Sequence, residues 1–308
     1  MHHDNTGQYH ETVEAHTAAE QATELWLKEI HQDTSALSFR VTKTLFSEKS
    51  PYQQIDLVET ANHGRILLND GIVMLTERDE FIYHEMIAHV ALFTHPSPKR
   101  VLVIGGGDGG TVREVLKHSQ IEQTVLVEID EVVVEACRKY LPSVSCAMND
   151  PRLQLIFDDG LQYVTETNEQ FDIVLVDSTD PVGPGVGLFE KRFYENVAGV
   201  LTENGIMVTQ AESPFYDVTF QQTMFSNQRP YFKKLHMFLY TTLAYVGGLY
   251  SFGFASKGLC PLQDFDPKRV KSSGISTRYY NSNIHRAAFM LPVFIEQKLK
   301  EICDRLPG

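Results

Sequence analysis

The sequence predicts an α/β protein in which a small antiparallel β domain precedes a Rossmann-like, doubly wound sheet. Three observations support this prediction. Short β-branched segments separated by turn formers occupy residues 23–78, apolar strands alternate with helical segments from residue 100 onward, and a glycine-rich stretch, residues 105–110, follows the first of those strands. Such alternation is typical of a parallel sheet covered on both faces. We therefore divide the chain into a flexible tail (1–22), a β domain (23–78) and a Rossmann-like domain (79–308).

The composition excludes several classes of protein. Lys and Arg number 27 against 40 Asp and Glu, so the formal charge of −13 argues against nucleic-acid binding, which needs a basic face. The four cysteines show no Cys-x-x-Cys spacing, so we expect neither a disulfide framework nor a structural zinc site. No apolar run is long enough to span a membrane, and the N-terminal residues show no basic and apolar pattern of a secretory signal, so we expect none. We therefore expect a cytoplasmic protein with no membrane contact.

The β domain is predicted from short apolar segments between turn formers. Asn62-His63-Gly64 and Asn69-Asp70-Gly71 are hairpin signals. The predicted strands are Ser38–Phe46, Ile55–Glu59, Arg65–Leu68 and Ile72–Leu75.

The larger domain opens with a helix and continues as alternating strands and helices. The helix begins near Asp79 and stops before Pro96, and its apolar residues are expected on one side: Phe81, Ile82, Met86, Ala88, Val90 and Leu92. The predicted strands are Val101–Ile104, Thr124–Glu128, Leu153–Phe157, Ile173–Val176, Ile206–Gln210, Leu235–Tyr240 and Tyr250–Ser256. The predicted helices are Thr111–His118, Glu131–Tyr140, Leu161–Thr167, Glu190–Leu201 and an amphipathic Val293–Leu306.

The glycine loop suggests a nucleotide-like ligand, although of an unusual kind. Gly105, Gly107 and Gly110 satisfy G-x-G-x-x-G, a weak signal for a dinucleotide. Asp108 lies inside the loop, where its carboxylate would repel a diphosphate and attract a cation. The alternative is that Asp108 only caps the helix that begins near Thr111.

Acidic residues follow several strands at the carboxyl edge, where ligands bind in such sheets. Glu128 ends the second strand 20 residues after Asp108, a position that commonly accepts hydrogen bonds from ribose hydroxyls. Five carboxylates are expected at this edge: Asp108, Glu128, Asp159, Asp177 and Asp180. Their crowding calls for a cation, either organic or a metal ion. The spacing fits no calcium loop, and no His–carboxylate cluster is evident, so we expect no metal site.

Several stretches together resemble the polyamine aminopropyltransferase family. The similarity runs from about Trp26 to Pro292. The matching stretches are residues 76–86 (TERDEFIYHEM), the glycine loop with Glu114, Glu128-Ile129-Asp130, Asp159-Gly160, residues 177–181 (DSTDP), Tyr279-Tyr280-Asn281 and the segment that begins at His285.

The resemblance implies transfer of an aminopropyl group from decarboxylated S-adenosylmethionine to putrescine, which gives spermidine and methylthioadenosine. Decarboxylated S-adenosylmethionine is then a co-substrate, and no further cofactor is expected. Asp177 is implied as the proton acceptor, with Tyr83 and Tyr245 also in catalytic positions. The implied donor contacts are Gln53, Asp108, Glu128, Asp159, Gly160 and Pro184. The implied amine contacts are His84, Asp108, Asp177, Asp180, Gln210 and Tyr245.

Some alternatives stay open on the sequence alone. The acceptor could be cadaverine, agmatine or spermidine, since these amines differ only at the far end of the pocket. A methyltransferase on the same fold, or a non-catalytic polyamine-binding protein, is also conceivable. The family commonly has proline where this chain has Leu243, which affects the placement of Tyr245. A homodimer is expected from the resemblance alone.

Overall fold

The computed structural model describes residues 24–179 and 183–305, which fold around two β-sheets. The strands are β1 (Leu25–His31), β2 (Ser35–Lys49), β3 (Gln54–Thr60), β4 (Gly64–Asn69), β5 (Ile72–Thr76), β6 (Arg100–Gly105), β7 (Gln123–Glu128), β8 (Leu153–Phe157), β9 (Phe171–Asp177), β10 (Leu201–Gln210), β11 (Lys234–Thr241) and β12 (Leu249–Ser256). The helices are α1 (Glu80–Thr94), α2 (Gly110–Leu116), α3 (Glu131–Tyr140), α4 (Gly160–Glu166), α5 (Lys191–Val200), α6 (Val218–Gln228), α7 (Pro267–Ser272), α8 (Ser282–Ala288) and α9 (Val293–Leu299). A 3₁₀ segment covers Gly183–Phe189.

The first sheet is an antiparallel meander of β1 to β5 in chain order, as the sequence predicts. At the β4–β5 turn, Asp70 and Gly71 both have positive φ, of 50° and 81°, as a type I′ hairpin turn requires. Strand β1 was not predicted from the sequence, because its apolar residues Leu25, Trp26 and Ile30 do not alternate with polar ones and are all more than half exposed. Apolar residues on the solvent side erase the alternation that marks a half-buried strand.

The second sheet has seven strands in the order β11-β12-β10-β9-β6-β7-β8, and it confirms the Rossmann-like prediction. The five strands from β8 to β10 are parallel, and β12 runs antiparallel beside β10. Strand order reverses between β6 and β9, so a ligand crevice opens at their carboxyl ends. The register pairs Gly105, the last residue of β6, with Asp177, the last residue of β9.

Strands β3 to β5 of the first sheet carry buried residues on both faces, which couples the sheet to the rest of the molecule. Leu57 and Leu67 are register partners and pack with Val133 and Cys137 of α3. The opposite face packs with Ala244, in the loop between β11 and β12. The first sheet therefore contacts the second domain through α3 on one face and through the β11–β12 loop on the other.

Helix α1 corrects the expectation that its apolar residues lie on one side. Polar residues such as Glu85 and His89 are buried together with its apolar ones, and only the first turns are partly exposed. The helix packs against β9, β10 and β11 on one side and α2 on the other, so every residue from His84 to Thr94 is buried. Its buried carboxylate at Glu85 accepts hydrogen bonds from the backbone N–H groups of Arg278, Tyr279 and Tyr280.

The C-terminal helix is shorter than predicted. Helix α9 ends at Leu299 because the chain then turns toward β11. There Asp304 N–H donates to the Leu235 carbonyl, and the Asp304 carboxylate accepts from Leu235 N–H and pairs with Arg229. Helices α6, α7 and α8 were not predicted. The tail 1–22, Asp180 and Leu306 lie outside the described residues. None of the described helices is long and apolar enough to cross a membrane.

Candidate active site

A cavity at the carboxyl edge of the second sheet collects most of the predicted site residues. Its walls come from both sheets, with Met74 and Thr76 of β5 facing Gly107 and Asp177 of the second domain. The predicted site residues that line it are Gln53, Tyr83, His84, Asp108, Glu128, Asp159, Gly160, Asp177, Gln210 and Tyr245. Asp180 and the side chain of Pro184 lie outside the described part of the chain.

The glycine loop permits a close approach between the loop backbone and two carboxylates. Gly105 and Gly106 have φ of 74° and 71°, which favours glycine. A Cβ on Gly106 would lie 2.6 Å from Asp177 Oδ2, and one on Gly107 would lie 2.8 Å from Glu128 Oε2. Side chains in this loop would therefore displace the carboxylates that define the site.

Glu128 lies at the end of β7 with both carboxylate oxygens held by backbone donors. Oε2 accepts from Gly107 N–H at 3.0 Å and Oε1 accepts from Asp130 N–H at 2.9 Å. Burial raises the pKa of Glu128 to about 7, even though these hydrogen bonds favour the ionised form. The carboxylate is thus fixed in orientation and titrates near neutral pH.

Gln53 reaches this end of the cavity from the first domain. Its Nε2 donates to Asp130 Oδ2 at 2.9 Å, and the Ser50 hydroxyl donates to the same oxygen at 2.7 Å. Asp130 also caps α3 by accepting from Val132 N–H. The contact therefore holds Gln53 beside Glu128.

Asp159 and Gly160 follow β8 at the same edge. Asp159 is exposed and caps α4 by accepting from Leu161 N–H at 2.8 Å. A Cβ on Gly160 would lie 2.3 Å from Ile104 Cγ2, so only glycine fits this approach of α4 to β6. Asp159 is therefore a helix cap in this structure, and its role toward a ligand stays a prediction.

Asp177 lies at the centre of the cavity between two hydroxyl donors. Tyr83 Oη donates to Oδ1 at 2.8 Å, and Thr111 Oγ1 donates to Oδ2 at 2.6 Å. Burial and the neighbouring charge of Asp108 raise the pKa of Asp177. Burial together with the nearby Asp177 raises the pKa of Tyr83 well above its usual value, so Tyr83 remains a phenol and a donor. A half-buried carboxylate with a raised pKa is suited to accept a proton.

Asp108 is neutralised on one side by His84. Its Oδ1 lies 3.3 Å from His84 Nε2 and accepts from Gly110 N–H at 2.7 Å. Burial alone would raise the pKa of Asp108, but the charge and hydrogen bond of His84 outweigh it and lower that pKa. Asp108 and Asp177 are therefore neighbours whose pKa values shift in opposite directions. Such pairs are typical of acid–base sites.

The structure corrects the expectation that no His–carboxylate cluster exists. One ligand atom each from His84, Asp108 and Asp177 can be chosen so that all lie within 4.8 Å of one another. A metal ion would need a neutral ring, since imidazolium has no free lone pair. Burial alone would lower the pKa of His84, but Asp108 and Glu80 raise it to about 10. This charge state favours an organic cation over a metal ion as the occupant.

Tyr245 lines the cavity, yet its hydroxyl points toward the first sheet and donates to the Met74 carbonyl at 2.6 Å. Leu243, which stands where the family commonly has proline, donates its N–H to Asp79 Oδ2 at 2.7 Å. The same oxygen accepts from the Thr242 hydroxyl and from Ala244 N–H. Asp79 therefore fixes this loop without the proline.

The far end of the cavity contains groups that the sequence analysis missed. Gln210 Nε2 donates to Glu212 Oε1 at 2.9 Å, and Glu212 has a left-handed φ of 58°. Glu29 of β1 accepts from Val73 N–H at 2.9 Å and also lines the cavity. Thr111 was missed too, although its position as the second residue of α2 is a signal that could have found it. Glu29 was missed because β1, the strand that carries it, was not predicted from the sequence.

Two family models together match most of the chain. A spermine/spermidine synthase domain matches residues 80–267, and a spermidine synthase tetramerisation domain matches residues 25–77. The chain belongs to the spermine/spermidine synthase family. It is therefore a polyamine aminopropyltransferase, a transferase of polyamine biosynthesis, as the resemblance predicted.

Named relatives and solved structures of this family are similar over nearly their full length. The polyamine aminopropyltransferase of Caldicellulosiruptor saccharolyticus is 48% identical over 89% of this chain and 98% of that protein. That of Methanocaldococcus jannaschii is 45% identical over 91% and 97%. A spermidine synthase solved with the transition-state analogue AdoDATO is 40% identical, with a TM-score of 0.89 over 91% of this chain and 96% of that one. The spermidine synthase of Thermotoga maritima is 39% identical, with a TM-score of 0.86 over 91% and 95%.

Proposed function

We propose that this aminopropyltransferase is a spermidine synthase that transfers an aminopropyl group from decarboxylated S-adenosylmethionine to putrescine. The observation that carries the proposal is the half-buried pair Asp108 and Asp177, which lie beside His84 in one cavity and whose pKa values shift in opposite directions. The carboxylate that stays ionised suits the donor's ammonium, and the carboxylate with the raised pKa suits the proton that the acceptor must lose. The spermidine synthase complex with AdoDATO supports the same use of this fold.

The donor occupies the end of the cavity near the glycine loop. Glu128 accepts hydrogen bonds from the ribose, Gln53 contacts the nucleoside, and Asp159-Gly160 contacts adenine with Pro184 over the base. Asp108 faces the propylamine, so its carboxylate attracts the donor's ammonium and repels the carboxylate of ordinary S-adenosylmethionine. The site thereby discriminates between an aminopropyl donor and a methyl donor.

The reaction is an in-line displacement. The acceptor nitrogen forms a bond to the carbon beside sulfur, the C–S bond breaks, and its electron pair returns to sulfur. The leaving group is a neutral thioether, so the step needs no general acid. We infer that no bound cofactor or metal ion takes part. Positioning of the two reactants supplies a large share of the rate.

Asp177 accepts the proton that the acceptor ammonium must lose. In water this transfer is uphill by about 8 kcal/mol, because an alkylammonium and an aspartate differ by about 6 pKa units. Burial and Asp108 raise the pKa of Asp177, which narrows the gap. The donor's sulfonium and a dry cavity narrow it further by lowering the pKa of the amine.

The acceptor lies on the opposite side of Asp177 from the ribose. Tyr83, His84 and Gln210 contact it, Asp180 supplies a further carboxylate for its amine, and Tyr245 aligns the attacking nitrogen. The bond from Tyr245 to Met74 supports an aligning role, since it fixes the ring in the cavity wall.

Self-association through the first sheet is part of the proposal. The family model that matches residues 25–77 is named for tetramerisation, and β1 of that region exposes Leu25, Trp26 and Ile30. The resemblance led us to expect a dimer. Light scattering of the purified full chain distinguishes a dimer from a tetramer.

The proposal is tested with purified full-length protein, decarboxylated S-adenosylmethionine and a panel of amines, followed by mass spectrometry. We expect spermidine and methylthioadenosine with putrescine, and slower reaction with cadaverine, agmatine and spermidine. Ordinary S-adenosylmethionine is the matched control, and transfer of a methyl group from it would indicate a methyltransferase. Binding of amines without methylthioadenosine release would indicate a non-catalytic protein. Faster turnover of another amine would overturn the assignment of putrescine. Full activity after exhaustive chelation is expected if no metal ion takes part.

A further inference from the structure

An ion-pair ladder runs from the cavity into the protein between α1 and α2. Glu80 Oε2 lies 2.6 Å from His84 Nδ1, one helical turn along α1. Arg113 of α2 donates two hydrogen bonds to the same carboxylate, from Nη1 to Oε1 at 3.1 Å and from Nη2 to Oε2 at 2.8 Å. Arg113 Nε also donates to Glu114 at 2.8 Å. The charges of this ladder therefore alternate in sign from Asp108 into the protein.

The ladder determines how many protons His84 carries. Its two ring nitrogens face carboxylate oxygens, Glu80 on one side and Asp108 on the other. Ionised carboxylates only accept hydrogen bonds, and a neutral imidazole can donate from one nitrogen only. Both contacts are satisfied together only when both nitrogens carry hydrogen. The other charged or titratable groups near the ring are Asp177, Arg113 and Tyr83, and Gly110 closes the remaining side.

We propose that Glu80, fixed by Arg113, is a positioning residue that holds His84 as a donor from both nitrogens. In this state Asp108 stays anionic for the donor's ammonium, and the proton released in the reaction goes to Asp177. Without the ladder the two neighbouring carboxylates would compete for that proton. Proton transfer to Asp108 would remove the counter-charge that holds the donor.

The arrangement of Glu80 is too specific for a role in packing alone. Its side chain is 7% exposed and His84 is 3% exposed, so both charges are desolvated and gain from each other. Burial alone would raise the pKa of Glu80, but His84 and Arg113 outweigh it and lower that pKa. Glu80 therefore remains ionised across the pH range in which the enzyme would work.

The protonation of His84 is measured directly by ¹⁵N NMR of histidine-labelled full-length protein, with no substrate present. The chain has 12 histidines, so the His84 signals are assigned by their loss in His84→Gln. We expect the wild-type ring to stay doubly protonated from about pH 6 to about pH 9, the range in which an ordinary histidine loses its charge. In Glu80→Gln the ring should titrate inside that range, because loss of an adjacent opposite charge lowers a histidine pKa by about 1–3 units.

The kinetic readout is the pH profile of kcat. Glu80→Gln should gain an ionisation at the pH where NMR detects His84 titrating, and Glu80→Gln/His84→Gln should lack it. Glu85→Gln is the matched control, since Glu85 is equally buried on the same helix but contacts the backbone at residues 278–280. We expect no new ionisation in that variant.

Two results would overturn the proposal. One is a wild-type His84 that titrates near pH 6.5, the usual histidine value. This result would reject the proposed double protonation of His84 even if Glu80→Gln does not fold. The other is a Glu80→Gln enzyme whose activity falls equally at every pH while His84 stays doubly protonated. Neither measurement depends on which amine is the acceptor. A failure here is thus separate from a failure of the proposed reaction.

Discussion

The binding of methylthioadenosine should depend on the ionisation of Glu128. This product contains the ribose and adenine, and its own charge does not change near neutral pH. Burial raises the pKa of Glu128 to about 7, so the carboxylate is about nine-tenths ionised at pH 8 and about one-tenth at pH 6. If only the ionised form accepts both ribose hydroxyls, the dissociation constant should rise about tenfold from pH 8 to pH 6, about 1.4 kcal/mol.

Glu128→Gln should abolish this pH dependence and weaken binding at every pH. An amide cannot accept at both positions, so the N–H of Gly107 or of Asp130 would face an NH₂ group. Isothermal titration calorimetry measures both effects, and wild-type binding at pH 7 should release about half a proton. Glu122→Gln is the matched control, since Glu122 is exposed and pairs with Lys99. A wild-type affinity that is flat between pH 6 and pH 8, or a slope that survives in Glu128→Gln, would refute the reasoning.

Three further substitutions test the centre of the site. Asp177→Asn should lower kcat by about 10²–10⁴-fold, with the loss shrinking at high pH, while methylthioadenosine affinity stays unchanged. An acid with a raised pKa lowers the stability of the folded protein once it ionises, so Asp177→Asn should melt at or above the wild-type temperature at pH 8. Near-normal turnover of Asp177→Asn at neutral pH would contradict the assignment of Asp177 as proton acceptor. Asp108→Asn should weaken the decarboxylated donor and relax the rejection of its carboxylated parent, and equal wild-type affinities for the two would count against this idea. In Gly110→Ala the new Cβ would lie 2.3 Å from the His84 ring, so we expect lower turnover and a lower melting temperature, whereas unchanged kinetics would show that the ring has room to move.

The sequence predicts the catalytic edge because parallel strands align their carboxyl ends. The positions of Glu128 and Asp177 follow from the ends of two apolar strands, and the registers of β6 with β7 and with β9 confirm that they share one edge with the glycine loop. The direction of a side chain does not follow from such reasoning. Tyr245 lines the cavity, and its role toward the nucleophile stays a prediction, but nothing in the sequence shows that its hydroxyl donates to a backbone carbonyl of the first sheet, a contact 171 residues apart in sequence.

The sequence pattern also failed to predict which charged residues are buried. Periodicity assigns polar residues of a helix to solvent, so Glu80, His84, Glu85 and His89 offered no sign that α1 is enclosed. Their hydrogen-bond and ion-pair partners lie on α2, the glycine loop and the C-terminal segment. Only the tertiary structure shows which of these groups pair. The pKa of His84 is raised by such tertiary contacts, namely those with Asp108 and Glu80.

The contact between Tyr245 and Met74 means that neither sheet forms the cavity alone. Residues 24–76 supply one wall, and the β11–β12 loop that completes it is anchored to Asp79, just beyond that sheet. Under the proposed function, the nucleoside contacts Glu128, Asp159 and Gly160 lie at or just after the ends of strands β7 and β8. A chimera that exchanges residues 24–79 with those of a relative should therefore change part of the proposed acceptor wall and leave most of the proposed donor wall in place. Divergence in this short region gives evolution a way to change the amine while the chemistry of the sulfonium stays constant.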